Sequence, residues 1–565
     1  MPTPPFSDAL AASAATRGSS WPAARAAAIN PRQTQVLYLV LALGVLLRLF
    51  HFLYNRSFFT DELFLNVNLL EKDFWELATT PLRYEQKAPI GYLWTARLCA
   101  LLFGPREPAL RLLSLLSGLV ALGGFVPVAR YFVRGWGVVV AVGVLALGSP
   151  AIYHAVEAKQ YSTELCATVL ALLLYLRYHN RPGWPALLAW GLLGSLLLLF
   201  SFSVIFVLAG IGLVLAAHAA WQRRWLRLVQ YAIPGGMWVL TFGVIYLLFV
   251  SKFLSSGWLP DFFRVRYDAY PDLHHPVAAA KWLVHKGYQI LDRPLGLLLS
   301  SDNHLLKLGW VSLPVLGIGV VFLLKEHRQW LALLLLPVAL ALLAAAAGQY
   351  PFHERFLLFL APLLLLVLGY GVQVVERRVS SSVAVGTLVT LLLLPPATNS
   401  TRQALNPDLF YNRSYSRQLL LHVNAHWQPG DVVYVYWNMQ PAYEYYKKAY
   451  KLKFDAVAAH HAKNQSSSQA DYLRHLQPDF VAFAGKRRLW FIYDTNLRDP
   501  TGDYVDKPAW YYDARYPPGR VLNEYFAATT RRLAYFHLDN YSTTLYALPA
   551  VPLRPWGSLP GPTAH

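Results

Sequence analysis

The feature that most constrains this chain is a succession of apolar runs about as long as a bilayer is thick. SLLSGLVALGGFVPVARYF (114–132) and WLALLLLPVALALLAAAAG (330–348) are two of them. A helix needs roughly 20 such residues to cross the hydrocarbon core. Inside lipid, only helices and closed barrels satisfy their own backbone polar groups. These runs do not alternate as barrel strands do. Composition agrees: 14% of residues are charged and 55% are hydrophobic, whereas a soluble domain carries about 25% charged residues. The expected class is an all-α polytopic membrane protein of about 11–13 transmembrane helices.

Spans are read at 35–54, 108–132, 136–150, 162–178, 184–201, 202–220, 231–251, 305–324, 329–348, 354–374 and 381–397. With this set, the short basic linkers fall on the side of the N-terminus: Arg130 with Arg134, Arg177 with Arg181, Arg223-Arg224 with Arg227, Lys325 with Arg328, and Arg377-Arg378. Clusters of this kind fix topology, positive side inward. They also account for a net charge of +19 without nucleic acid as a partner. The segment 90–104 is short, bounded by Pro89 and Pro105 and interrupted by Arg97. It is expected to lie at the outer face. Loops 55–107, 151–161, 252–304 and 349–353 are then outside, with residues 1–34 a cytoplasmic, disordered tail.

From about residue 399 the chain changes character. DVVYVYWN (431–438), DFVAFAG (479–485) and RRLWFIYDT (487–495) alternate as strands do. PAYEYYKKAY and QADYLRHL read as helices, and a hairpin is expected at Asp539-Asn540. Residues 399–565 are therefore expected to form an extracytoplasmic α/β domain. Cys99 and Cys166 both lie in apolar segments, so neither a disulfide framework nor a zinc pattern is indicated.

Polar residues collect on the expected outer side. The first loop holds Asp61, Glu62, Tyr84, Glu85, Gln86 and Lys87; the second holds His154, Glu157, Lys159, Gln160 and Tyr161. The third holds Asp261, Arg264, Asp272, His274, His275, His285, Asp302 and His304; the fourth holds His353, Glu354 and Arg355. Such a mixture at the membrane boundary suits an active site for a charged, lipid-borne substrate. Each residue also has a plainer role. Thr60 can cap a helix starting at Asp61, with the acids complementing its dipole. Lys87, Lys159 and Arg355 can reach for headgroups. His274 and His275 are weak candidates for a metal, having no i,i+4 partner.

In order along the chain stand an Asp-Glu pair after the first span, the element QKAPIGYLW, then FGPREPALRLLSLLSG, then SP with VEAKQYS, and lastly HERFLLFLAP. Over about residues 35–400 this order resembles the GT-C glycosyltransferases of family 39, which include the bacterial aminoarabinose transferases that modify lipid A and the protein O-mannosyltransferases. The resemblance implies a GT-C transmembrane catalytic domain over 35–398, in a bacterial inner membrane. It implies a polyprenyl-phosphate sugar donor and an acceptor lipid, glycan or protein. Asp61 then matches the family's first-loop aspartate, and Glu62 its neighbour. Lys87 matches a lysine held near the donor phosphate, and Arg355 a basic residue at the start of the late helix. The motif departs from the family at Phe64-Leu65, where Arg-Tyr is usual, and at Lys87-Ala88-Pro89, where Lys-Pro-Pro is usual; Gln86 stands where an acid often precedes the lysine, with Glu85 one residue earlier.

The chemistry follows from those residue types. A phosphate leaving group needs cations, for which Lys87, Lys159 and Arg355 are the candidates. The acceptor needs a base, for which Asp61 is the candidate, with Glu62 or Glu157 orienting acceptor or cation. Tyr84, Glu85, Gln86, Tyr161 and His353 are candidate substrate contacts. A divalent cation is left open, because an acidic pair holds one only weakly without further oxygens. Three other readings stay open. A transporter or flippase would carry ionisable residues at mid-membrane and two related halves. A different lipid-linked polymerase or ligase would not need this motif order. A receptor would use only its outer domain.

Overall fold

The computed structural model describes residues 30–181, 183–250, 258–299, 308–410, 412–460, 462, 465–496, 519–550 and 553. Residues 1–29 of the expected tail, and the candidates Asp302 and His304, lie outside these.

Each of the eleven sequence-read spans contains a helix among the described residues. Among the described residues eight helices are long and apolar enough to cross a membrane, and the pair Trp136–Leu147 and Ser149–Ala155, bent by 49°, makes a ninth if it is one span. The bend falls at Gly148, with Pro150 in the first turn that follows, where proline is tolerated. The remaining two expected spans are the 17-residue Trp184–Phe200 and Tyr161–Tyr178, which carries Glu164 and Arg177. The chain is a multi-pass membrane protein.

At the centre runs Glu354–Arg378, 89% buried among its neighbours. Gly371 faces the Val315 carbonyl and Gly369 the Gly137 carbonyl, so closely that a Cβ at either would overlap the opposite backbone. Small residues let membrane helices approach to backbone contact, replacing the hydrophobic drive that lipid cannot supply. Arg48 lies buried in the first span and donates to the carbonyls of Gly44 (2.9 Å), Ala146 (2.8 Å) and Leu145 (3.0 Å). Carbonyl partners are how a buried cation is accommodated at such depth.

Between the first two spans lie the helices Thr60–Glu71 and Ile90–Phe103. The second has 14 residues, too few to span. Its Arg97 donates to the Leu69 carbonyl at 2.7 Å, and its Trp94 indole donates to the Phe74 carbonyl at 2.8 Å. The charged and indole groups thus tie this helix to its neighbours, while Leu101, Leu102 and Phe103 stay exposed. Thr60 is the first residue of its helix and does not cap it; the Glu62 carboxylate instead accepts the Phe59 N–H at 3.0 Å.

The last apolar helix, Ser382–Leu405, extends past the expected boundary at 399. Beyond it a five-stranded sheet is built from β1 (Val432–Val435), β2 (Ala456–Ala458), β3 (Arg488–Asp494), β4 (Arg531–Leu538) and β5 (Tyr541–Ala547). The order is β2-β1-β3-β5-β4. β1 pairs in parallel with β2 and β3, and β5 pairs antiparallel with β3 and β4. The segment 479–485, expected as a strand, is mostly a 3-10 helix, Gln477–Phe483. Pro478 sits at its start, where a missing N–H costs nothing.

This domain docks on the loops rather than hanging from them. Phe58, Leu63, Leu65, Tyr445, Tyr446 and Trp490 share one apolar cluster. Tyr446 accepts the Phe58 N–H at 3.0 Å, Tyr445 donates to the Pro105 carbonyl at 2.6 Å, and Arg417 meets Glu107 at 2.8 Å.

Candidate active site

Where the domain meets the helices there is a cavity of about 1260 Å³. Its apolar part is lined by Ile205, Phe206, Phe242, Leu340 and Ala344 from spanning helices, and by Phe202 from the link between Trp184–Phe200 and Val204–Trp221. Its upper wall carries Asp61, Tyr84, Gln86, Lys87, Lys159 and Arg355. An apolar slot leading to a cationic wall suits an amphiphile with an anionic head.

Asp61 sits in the first turn of Thr60–Glu71, Lys159 in the loop before Tyr161–Tyr178, and Arg355 in the 3-10 turn Glu354–Leu360. The three side chains converge. Lys159 Nζ lies 3.1 Å from Asp61 Oδ1, and Arg355 Nη1 lies 2.5 Å from Asp61 Oδ2. Lys159 also donates to Gln86 Oε1 at 2.5 Å. Burial alone would push the Asp61 carboxyl up; the charges of Arg355 and Lys159 outweigh it and hold the carboxyl down at about 2. Burial draws Lys159 below the usual lysine range against the pull of Asp61. Lys87 is lowered too, by burial, with Glu85 opposing.

The chain leading into Lys87 is strained. Tyr84 and Glu85 adopt φ of 58° and 52°, and Glu354, beside Arg355, adopts 27°. Left-handed backbone at non-glycine residues costs about 1–3 kcal/mol each and gathers at ligand sites. Tyr84 stacks on Phe64 at 4.7 Å between ring centres. Phe64 stands at one of the positions where the sequence departs from the family-39 pattern, and its ring lines the cavity.

Glu62 and Glu157 do not reach the cavity. Glu62 is fully buried behind Asp61, and Arg111 Nη2 meets its two oxygens at 3.0 and 3.2 Å. It also accepts the Ala158 N–H at 2.8 Å. Glu157 is buried and takes a 2.6 Å contact from His154 Nδ1. Burial would raise its carboxyl, but His154 brings it below the ordinary value. Glu62 fastens the first loop to the second through the Ala158 N–H, and Glu157 is held within the second loop by His154, while Asp61 and Lys159 face the cavity. Tyr161 and Glu85 line the cavity. His353 lines a smaller adjoining cavity of about 260 Å³ with His154, Arg293 and Glu354. Burial brings His353 down to about 4.

His274 and His275 lie on an exposed loop away from both cavities, where His275 pairs with Asp272 at 2.7 Å. Among the described residues no three His, Cys, Asp or Glu side chains converge as a metal site would require. Among these residues the donor set for a divalent cation is not assembled.

Sequence reasoning missed two groups of lining residues. Glu164, 4% exposed, faces the cavity from within an apolar helix; an ionisable residue inside such a run is itself the signal. The second group comes from the C-terminal domain and its linker: Asn412, Arg413, Asp494, Asn496, Asp539 and Asn540.

No family model matches this chain, and no curated protein matches it. Among solved structures, ArnT from Cupriavidus metallidurans bound to undecaprenyl phosphate superposes with a TM-score of 0.50 at 12% identity, over 91% of this chain and 98% of that one. The chain has the GT-C fold. The apo state of the same ArnT gives a TM-score of 0.49 at 14% identity over the same shares. An Archaeoglobus fulgidus oligosaccharyltransferase in complex with Zn and sulfate gives 0.47 at 13% identity, over 91% of this chain and 73% of that one.

Proposed function

We propose that this chain is an integral-membrane glycosyltransferase that moves a sugar from a polyprenyl-phosphate donor to an acceptor on the face bearing the C-terminal domain, outside the cytoplasmic membrane. The observation that carries the reading is Asp61 held between Lys159 and Arg355 at the head of an apolar slot. The fold shared with a structure that holds undecaprenyl phosphate supports the same donor class.

In this reading the prenyl tail lies in the slot and the phosphate meets Lys87, Lys159 and Arg355. Phosphate competes with Asp61 for the two cations, because charge-assisted bonds to Arg and Lys form with either anion. Asp61 is thereby released as a base only when donor is present. The acceptor oxygen then forms its bond to the anomeric carbon as the bond from that carbon to the phosphate oxygen breaks. The bonding pair leaves on the phosphate, where the cations stabilise it. The acceptor proton passes to Asp61. A single displacement inverts the anomeric centre.

Equilibrium binding of polyprenyl phosphate tests the donor site. Lys159→Gln and Arg355→Gln are each expected to weaken it about tenfold or more, the worth of a hydrogen bond to a charged group. Unchanged affinity in both would contradict the phosphate site.

A further inference from the structure

We infer that the tip of the β4–β5 hairpin and the end of β3 form the acceptor subsite, and that it takes a neutral, polyhydroxylated acceptor rather than a phosphorylated one. This rests on the donor site proposed above and adds the class of the second substrate.

The cavity that contains Asp61 is closed on its other side by Arg413, Asp494, Asn496, Asp539, Asn540 and Tyr541. These residues are held in place. The Asn540 carbonyl accepts from the Thr495 N–H at 2.9 Å and from its hydroxyl at 3.1 Å, tying the hairpin tip to the end of β3. Asp494 is 4% exposed, and its Oδ1 accepts the Asn496 N–H at 2.7 Å. Tyr541 sits within hydrogen-bonding reach of Thr60, the residue before Asp61. The hairpin therefore stands beside the base.

The two walls differ in charge. The donor wall sets Lys87, Lys159 and Arg355 against Asp61, Glu85 and Glu164. The domain wall sets Asp494 and Asp539 against Arg413 alone. Arg413 is already committed: its Nε and Nη2 meet the two Asp539 oxygens at 3.1 and 3.2 Å. What this wall offers is carboxylate and amide groups. Carboxylates accept from hydroxyls, and amides both donate and accept, matching a polyol. A phosphate offers acceptors and negative charge only, and would meet like charge at Asp494, while the Asp539 charge is offset by Arg413. Such repulsion excludes a wrong partner as effectively as contacts favour the right one.

The test uses the purified full chain in nanodiscs with a panel of polyprenyl-phosphate sugars as donors. Two probe acceptors are compared: n-octyl glucoside below its micellar concentration, and n-octyl phosphate. Wild type is expected to prefer the glucoside. Asn540→Ala is expected to raise its KM about three- to tenfold, the worth of one hydrogen bond, at an unchanged donor KM. Asp539→Lys is expected to turn the preference toward octyl phosphate. Octyl phosphate accepted as well as the glucoside by wild type, or an acceptor KM unmoved in both variants, would overturn the proposal. Calorimetric binding of octyl glucoside to wild type and Asn540→Ala gives a readout that needs no turnover; equal binding overturns it as well. Failure of the donor reading appears elsewhere, in polyprenyl phosphate affinity, so the two failures are told apart.

Discussion

A carboxylate clamped by an ammonium and a guanidinium is a poor base until something else takes the cations. Asp61 is in that state, held at about 2 against an ordinary 3.8. The sign of the pH dependence follows. Its folded value lies below the unfolded one, so its contribution to stability is complete above about pH 4 and is lost as pH falls toward 2. Asp61→Asn is expected to remove that part of the acid-induced fall in melting temperature; an identical acid limb in the variant would contradict the ion pairs. Glu62, one residue on, is buried and bonded to Arg111. Glu62→Gln leaves Arg111 buried without its charge partner, and breaking a buried pair costs about 3–5 kcal/mol. Thermal unfolding should show a large drop, and an unchanged melting temperature would refute the structural role. The sequence singled out both acids but not which one faces the cavity. Neighbours on a helix point about 100° apart, and only tertiary packing decides which direction is inward.

At the scale of elements, hydropathy was a reliable guide because lipid leaves a spanning backbone few choices. The 14-residue Ile90–Phe103 helix was legible through its flanking prolines and Arg97, whose bond to Leu69 explains the break in the pattern. The segment 479–485 was not legible. Its alternation suits a strand, but Tyr434 donates to Asp479 Oδ2 at 2.8 Å, and the 3-10 turn presents that carboxylate to β1. Helix contacts through glycine were also invisible, since they depend on the facing backbone. Gly371→Ala is expected to part Ser312–Glu326 from Ala361–Arg378 and to destabilise by about 1–3 kcal/mol, as overpacking does. Melting of the purified variant checks it; a stability equal to wild type would mean that the helices yield without cost.

At the scale of the molecule, the sequence marked a membrane body and an α/β domain but not the cavity between them. Asp61 and Asn540 line one space from positions 479 residues apart, and no local pattern announces such a meeting. The topology read from the basic linkers places Arg377-Arg378 and the β4–β5 hairpin on opposite sides. A cysteine at 540 should react with an impermeant maleimide in intact cells, and one at 378 only after permeabilisation, in a background lacking Cys99 and Cys166. Reaction of both alike would overturn the orientation. We propose Asp61 as the base of a polyprenyl-phosphate-dependent transfer. Its most direct test is turnover of the purified protein with a panel of polyprenyl-phosphate sugars and crude envelope lipid and protein as acceptor, following released polyprenyl phosphate. Release by wild type, and its loss by about 10²–10⁴-fold in a folded Asp61→Asn variant, is the expected result; release by the variant at the wild-type rate would contradict it.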